Sequence, residues 1–162
     1  MKNLILVRHA KSSWDHNVGD DKRPLADRGI ADSQLVSQEF KYQSFYPDMI
    51  FSSHANRALT TCKIFMKNLQ IPDNLLIISS KLYDFSGENV IDFIKSIDKQ
   101  QNNVIIFGHN YAFTSVANRF GSLFIDNLPT CGLVWIQFEI DSWEDVEKGK
   151  TKLIIRPKDL KS

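Results

Sequence analysis

The chain has little cysteine, no surplus of either charge and no long apolar run. Only Cys62 and Cys131 are present, neither in a CxxC pair, so a disulfide-built secreted fold is not expected. Both read as small buried hydrophobes, Cys62 inside a helix and Cys131 just before a strand. Lys and Arg number 20 against 19 Asp and Glu, a net charge of +1, with no basic block. That balance calls for neither nucleic acid nor a membrane as partner. No apolar stretch approaches the length of a membrane span. The early run Leu4 to Val7 is too short for a signal-peptide core and ends at charged Arg8. A cytoplasmic protein is expected. Metal-ligand spacing is also missing, and His16, alone in the polar stretch Asp15 to Arg23, reads as a loop residue. Repeats, low-complexity segments and linkers are absent, so residues 1–162 are expected to form one domain around one core.

What is present is alternation. Short apolar runs at Leu4–Val7, Asp48–Ser52, Leu75–Ile78 and Val104–Phe107 read as strands, the first buried on both faces. Between them lie stretches with apolar residues at helical spacing: Ala26–Phe40, Asn56–Leu69 and Glu88–Ile97. Tyr111–Phe120 reads as a further helix, and Leu133–Ile140 and Lys152–Ile155 as later strands. The polar stretch Asp141–Lys150 would join those two as a hairpin. The pattern predicts an α/β fold: a three-layer sandwich around a mixed, mostly parallel sheet of about six strands.

In such sheets the active crevice lies beyond the carboxyl ends of the strands. The first strand is followed by Arg8-His9-Ala10, and the second by Ser52-Ser53-His54-Ala55-Asn56-Arg57. Tyr83-Asp84 follows the third, and Gly108-His109-Asn110 the fourth. Two arginines and two histidines thus converge on one edge. Guanidinium forks match phosphate oxygens with paired, charge-assisted hydrogen bonds. Phosphoryl transfer needs mainly positioning and electrostatic stabilisation, so Arg8, Arg57 and His109 could ring the equatorial oxygens. His9 would face phosphorus as the nucleophile, kept neutral by the nearby arginines. A partner on its other ring nitrogen, such as a backbone carbonyl, would fix the tautomer.

These residues resemble a known family. Leu6-Val7-Arg8-His9-Ala10 is similar to the signature of the histidine phosphatase superfamily, related to phosphoglycerate mutase. Arg8 to Trp14, with Arg23-Pro24-Leu25 and Arg28-Gly29, resembles its SixA-type phosphohistidine phosphatase branch. Ser52 to Ala58 and Gly108-His109-Asn110 complete the set in order. The resemblance implies a phosphoglycerate mutase-like α/β/α sandwich with one strand antiparallel to the rest, and no metal or organic cofactor. It implies His9 as nucleophile and Arg8, Arg57 and His109 as phosphoryl ligands, with Arg23 also approaching the phosphate.

Three departures stand out. Ala10 replaces a glycine common in the superfamily. Asp15 stands where the mutase branch has a phosphate-contacting asparagine, so its carboxylate is expected to turn away or bind a basic residue. His54 replaces a proline. Asp84 is the positional candidate for a general acid, with Glu88 a weaker one. The plain alternative for Asp84 is a carboxylate in the loop leading into a helix. Alkoxide leaving groups need a proton, whereas imidazole protonated on its free nitrogen leaves as a neutral molecule. A site without a strong acid therefore suits phosphohistidine.

Other residues invite plainer readings. Asp20-Asp21-Lys22-Arg23 reads as a solvated loop apart from any role of Arg23, and Arg28 as a surface ion-pair partner. Trp14, Trp135 and Trp143 read as packing residues, though Trp14 could wall the pocket. The expected function is a phosphatase acting on a phosphorylated histidine of another protein. The alternatives are a small-molecule phosphomonoesterase and a non-catalytic phosphate- or protein-binding module.

Overall fold

The computed structural model describes residues 1–161. Its strands are β1 (Lys2–Arg8), β2 (Met49–Ser52), β3 (Leu76–Ile78), β4 (Asn103–Gly108), β5 (Leu133–Phe138) and β6 (Lys150–Ile155). They form one sheet in the order β3-β2-β4-β1-β5-β6. β1 pairs with β4, and β2 with β3 and β4, all parallel. β5 runs antiparallel to both of its neighbours, β1 and β6. The sheet therefore carries the one reversed strand that the resemblance implies. The helices are α1 (Asp27–Lys41), α2 (Asn56–Leu69), α3 (Glu88–Lys95) and α4 (Ala112–Phe120).

Strand side chains alternate between faces, so a central strand needs apolar residues at every position. In β1, Leu4 and Leu6 enter one core while Ile5 and Val7 enter the other. Val104 and Ile106 of β4 join the first, and Ile105 and Phe107 the second. The first face is covered by Val90, Ile91 and Ile94 of α3 and Phe113, Val116 and Phe120 of α4. The second is covered by Val36 and Phe40 of α1 and by Cys62, Phe65 and Met66 of α2. Truncating one such aromatic, Phe65→Ala, would cost about 3–5 kcal/mol through lost burial and the cavity left behind. Cys62 and Cys131 are both free and buried in this second core, and burial pushes each thiol up to about 12.

Element ends differ from expectation by a few residues. β5 stops at Phe138, β6 begins at Lys150 and α3 ends at Lys95. The link between β5 and β6 is not a tight hairpin. It holds a 3-10 turn, Trp143–Asp145, whose tryptophan is fully buried and donates Nε1–H to Gln101 O at 2.6 Å. The segment serves as a plug for the first core. Among the described residues, no helix is long and apolar enough to cross a membrane.

Three parallel strands end side by side at the middle of the sheet. Arg8 stands opposite Gly108, and Ser52 opposite Phe107. The chain beyond them stays tied in. His9 N–H donates to Gly108 O, Ser53 N–H to Phe107 O and Cys131 N–H to His9 O, each at 3.0 Å. Gly108 permits a close approach, because a Cβ there would stand 2.6 Å from the Phe113 ring.

Candidate active site

Two neighbouring elements hold the segment after β1. Ala10 N–H donates to Thr61 Oγ1 of α2 at 3.0 Å, and Thr61 Oγ1 donates to Arg57 O at 2.8 Å. Ser13 N–H donates to Pro24 O at 2.8 Å and Ala26 N–H to Lys11 O at 2.9 Å, which ties this segment to the start of α1. Gly29 of α1 allows that contact, since a Cβ would lie 2.1 Å from Lys11 O. The end of β1 and the loop after it, fixed from both sides, thus carry Arg8, His9 and Ser12.

The His9 ring is nearly buried. Its Nδ1 lies 2.7 Å from Ala10 O, and a carbonyl can only accept, so Nδ1 carries the proton. Nε2 then holds a lone pair, toward which Arg57 Nε points at 3.3 Å. Burial pushes the imidazole down to about 4, against the pull of the Ala10 hydrogen bond, and Arg57, Arg8 and Arg23 lower it further. At neutral pH His9 is an uncharged imidazole with a fixed tautomer and a nucleophilic nitrogen.

His109 is fully buried, its ring centroid 5.3 Å from that of His9. Tyr83 and Phe85 rings pack on it at 5.2 and 5.1 Å. Ser53 Oγ accepts from Ala55 N–H and lies 2.9 Å from His109 Nε2. The other ring nitrogen of His109, Nδ1, is buried and has no partner among the described residues. Burial, then His9 and Arg57, push His109 down to about 3.

The arginines are positioned differently from one another. Arg8 donates Nη1–H to Leu128 O at 2.8 Å, its Nε is buried without a partner among the described residues, and burial lowers its pKa. Arg57, almost fully buried on the first turn of α2, donates Nη1–H to Asp20 O at 2.6 Å and Nη2–H to Asp20 Oδ2 at 3.0 Å. Arg23 is buried as well. It donates Nη1–H to Ser12 Oγ at 2.6 Å and Nε–H to Asp20 Oδ1 at 3.2 Å, and lies 3.6 Å from the centroid of the Trp14 ring. Trp14 is itself largely exposed, so it walls Arg23 from solvent rather than packing in a core.

The solvated-loop reading holds for Asp20 to Lys22, which stay exposed or partly exposed, but the loop also has a structural task. The 3-10 turn Asp20–Lys22 folds back so that Asp20 meets Arg57, Arg23 and the Tyr83 hydroxyl together. The Tyr83 bond, opposed by burial and reinforced by Arg57 and Arg23, holds the Asp20 carboxyl down at about 2. Sequence reasoning passed over Asp20. The available signal was charge: three arginines on one edge need a counter-charge, and Asp20-Asp21 is the nearest acidic pair before Arg23.

Asp84 takes the plain alternative. Its Oδ1 accepts from Ser86 N–H and Oγ–H at 3.1 Å, and its Oδ2 from Gly87 N–H at 3.1 Å and Val90 N–H at 3.0 Å. Burial raises its pKa, but the Val90, Ser86 and Gly87 bonds outweigh it and the net shift is downward. Both carboxylate oxygens are thus engaged at the start of α3, in an arrangement that favours the ionised form over the protonated one a general acid needs. Asp15 is exposed and forms no ion pair among the described residues. His54 lies 3.7 Å from Asp21 Oδ2 and packs near Tyr83, and Arg28 pairs with Asp32 at 3.6 Å. Among the described residues, no group of three or more His, Cys, Asp or Glu is placed to share a metal ion.

Residues 4–77 match the family model described as the histidine phosphatase superfamily (branch 1). An uncharacterized chloroplastic protein of Arabidopsis thaliana is 29% identical over 153 residues, covering 89% of this chain and 70% of that protein. A 2,3-bisphosphoglycerate-dependent phosphoglycerate mutase of Nautilia profundicola is 35% identical over 74 residues, but these span 44% of this chain and 32% of the mutase. The solved structure of the protein histidine phosphatase SixA complexed with tungstate superposes with a TM-score of 0.83 at 18% identity, covering 98% of this chain and 99% of that one. At that identity the likeness is one of fold.

Proposed function

We propose that the chain, whose residues 4–77 match the histidine phosphatase superfamily model, is a member of that superfamily and a phosphohistidine phosphatase working through a covalent intermediate on His9. The observation that carries this reading is the His9 ring: Nδ1 bound to Ala10 O, Nε2 unprotonated, and an arginine Nε–H aimed at it.

The His9 Nε2 lone pair attacks phosphorus, and the bond from phosphorus to the substrate nitrogen breaks. That nitrogen keeps the bonding pair and departs as part of a neutral imidazole, provided its other nitrogen is protonated. The donors offered to the equatorial oxygens are Arg57 Nε and Nη2, Arg8 Nε and, with Ser53 donating to its Nε2, His109 Nδ1–H; Arg8 Nε and His109 Nδ1 have no partner among the described residues. Arg23 adds positive charge behind Ser12. Water then attacks the phosphoryl group on His9. A P–O bond forms, the P–N bond breaks, and orthophosphate leaves with both protons of the water. His9 again departs as a neutral imidazole, its Nδ1 proton held throughout by Ala10 O.

Neither step needs a carboxylic acid, in keeping with Asp84 being committed to α3. The rim residues Tyr83, Phe85, Tyr111 and Trp14 are exposed or partly exposed and suit a side chain presented by another protein. The reading includes a single domain in a cytoplasmic setting, in keeping with two unpaired thiols.

The mutase relative favours a second reading, a phosphomonoesterase for a small metabolite. Turnover of a phosphohistidine peptide and of an alkyl phosphate separates the two. Strong preference for the peptide is expected, and equal turnover would replace this reading with the second.

A further inference from the structure

We propose that the Asp20 carboxylate is the resident anion of the phosphoryl site, holding the Nη2 prong of the Arg57 fork and returning to it to expel orthophosphate. This rests on the reading of the pocket as a phosphoryl-transfer site.

The donors of Arg57 that point the same way are Nε–H and one Nη2–H, the edge used for side-on bidentate binding of an oxyanion. Nε faces His9 Nε2 at 3.3 Å, and Nη2 faces Asp20 Oδ2 at 3.0 Å. A phosphoryl group centred in front of His9 Nε2 must place an oxygen in that fork. Asp20 Oδ2 is already there. Its carboxylate also bridges to Arg23 Nε at 3.2 Å and accepts from the Tyr83 hydroxyl. One carboxylate therefore engages two buried arginines that would otherwise share a phosphoryl group.

The means of leaving are also built in. The Asp20 side chain is 46% exposed, whereas that of Arg57 is 3% exposed. The flexible partner is thus the carboxylate, on a short 3-10 turn. The backbone bond from Arg57 Nη1 to Asp20 O does not involve the carboxylate. The side chain can swing out while the guanidinium stays anchored. A transferring phosphoryl group forms a bond to His9 and displaces the carboxylate. Free orthophosphate has no such bond and is outcompeted.

Direct binding of inorganic phosphate, measured by calorimetry on the purified protein, tests this. Asp20→Asn keeps the shape and removes the charge. It is expected to bind phosphate about 10-fold tighter or more, with product inhibition strengthened in proportion. Tyr83→Phe removes one fastening of the carboxylate and is expected to tighten phosphate by a smaller factor. It also gives a second reading should Asp20→Asn fail to fold. Unchanged or weaker phosphate binding in the folded variants would overturn the inference, making Asp20 a simple support for Arg57. Phosphate binding that survives Arg57→Ala undiminished would instead overturn the proposed site, so the two failures are distinguishable.

Discussion

Arg57 Nε points at the unprotonated Nε2 of His9 across 3.3 Å, so the arginine caps the nitrogen that would make the bond to phosphorus. The contact has two consequences: it keeps His9 from being protonated, and it prepositions the guanidinium beside the reacting centre. The His9 ring is expected to titrate near pH 4 when followed by its ring C–H resonance, because burial and the arginines oppose the charged form. Arg57→Ala removes one of those arginines, and the midpoint is expected to rise toward the ordinary 6.5. A midpoint at 6.5 in the unaltered protein would contradict the buried, neutral nucleophile.

Arg57→Ala is expected to lower kcat/KM on phosphohistidine by about 100-fold or more, the scale of losing a main donor to the transferring group. Arg57→Lys should recover little of this. A lysine has no fork and cannot serve His9, the phosphoryl group and Asp20 O together. Steady-state kinetics on a phosphorylated peptide give the comparison.

Asp84→Asn separates structure from catalysis. The carboxylate accepts four hydrogen bonds around the start of α3, so its loss is expected to cost about 1–2 kcal/mol of stability by urea unfolding. Turnover of phosphohistidine should remain within a few-fold of the original, roughly the scatter of a substitution outside the chemistry. A loss of two orders of magnitude or so in kcat without a stability change would restore Asp84 as an acid.

Stability is expected to fall as the solution is acidified, in two windows. His9 and His109 have folded pKa values of about 4 and about 3, below the ordinary 6.5. The unfolded chain therefore takes up protons first, and stability declines as pH drops below 6.5. Asp20, held at about 2, and Asp84, also lowered, stabilise the fold only while ionised, and that contribution fades below the ordinary 3.8. Urea midpoints from pH 7.5 to 3 test the order. His9→Gln should flatten the upper window in part and leave the lower one.

The fold was legible because its signals are local. Leu4 to Val7 and Val104 to Phe107 are continuous apolar runs, and only a strand covered on both faces needs that pattern. The placement of Arg8, His9, Arg57 and His109 followed from strand ends alone. Asp20 and Ser53 were not legible, since their roles arise from how loops from distant segments meet. Asp20 lies in a charged stretch that composition marks as solvated, and its half-exposed carboxylate is recruited as the counter-charge of buried Arg57. Asp84 sits at the right place in the chain for an acid, but a carboxylate two residues before a free N–H series is claimed by the helix. Trp143 reads as a packing residue and is fully buried, but the turn that carries it in the β5–β6 connection has no clear sequence signature.

The most direct measurement is to mix enzyme with phosphohistidine peptide, quench within milliseconds under alkaline conditions, and map the phosphoryl group by mass spectrometry. It is expected on His9, as an acid-labile adduct formed and consumed at the rate of turnover, with no adduct and no turnover in His9→Ala. Turnover retained in His9→Ala, or an adduct on any other residue, would contradict the mechanism.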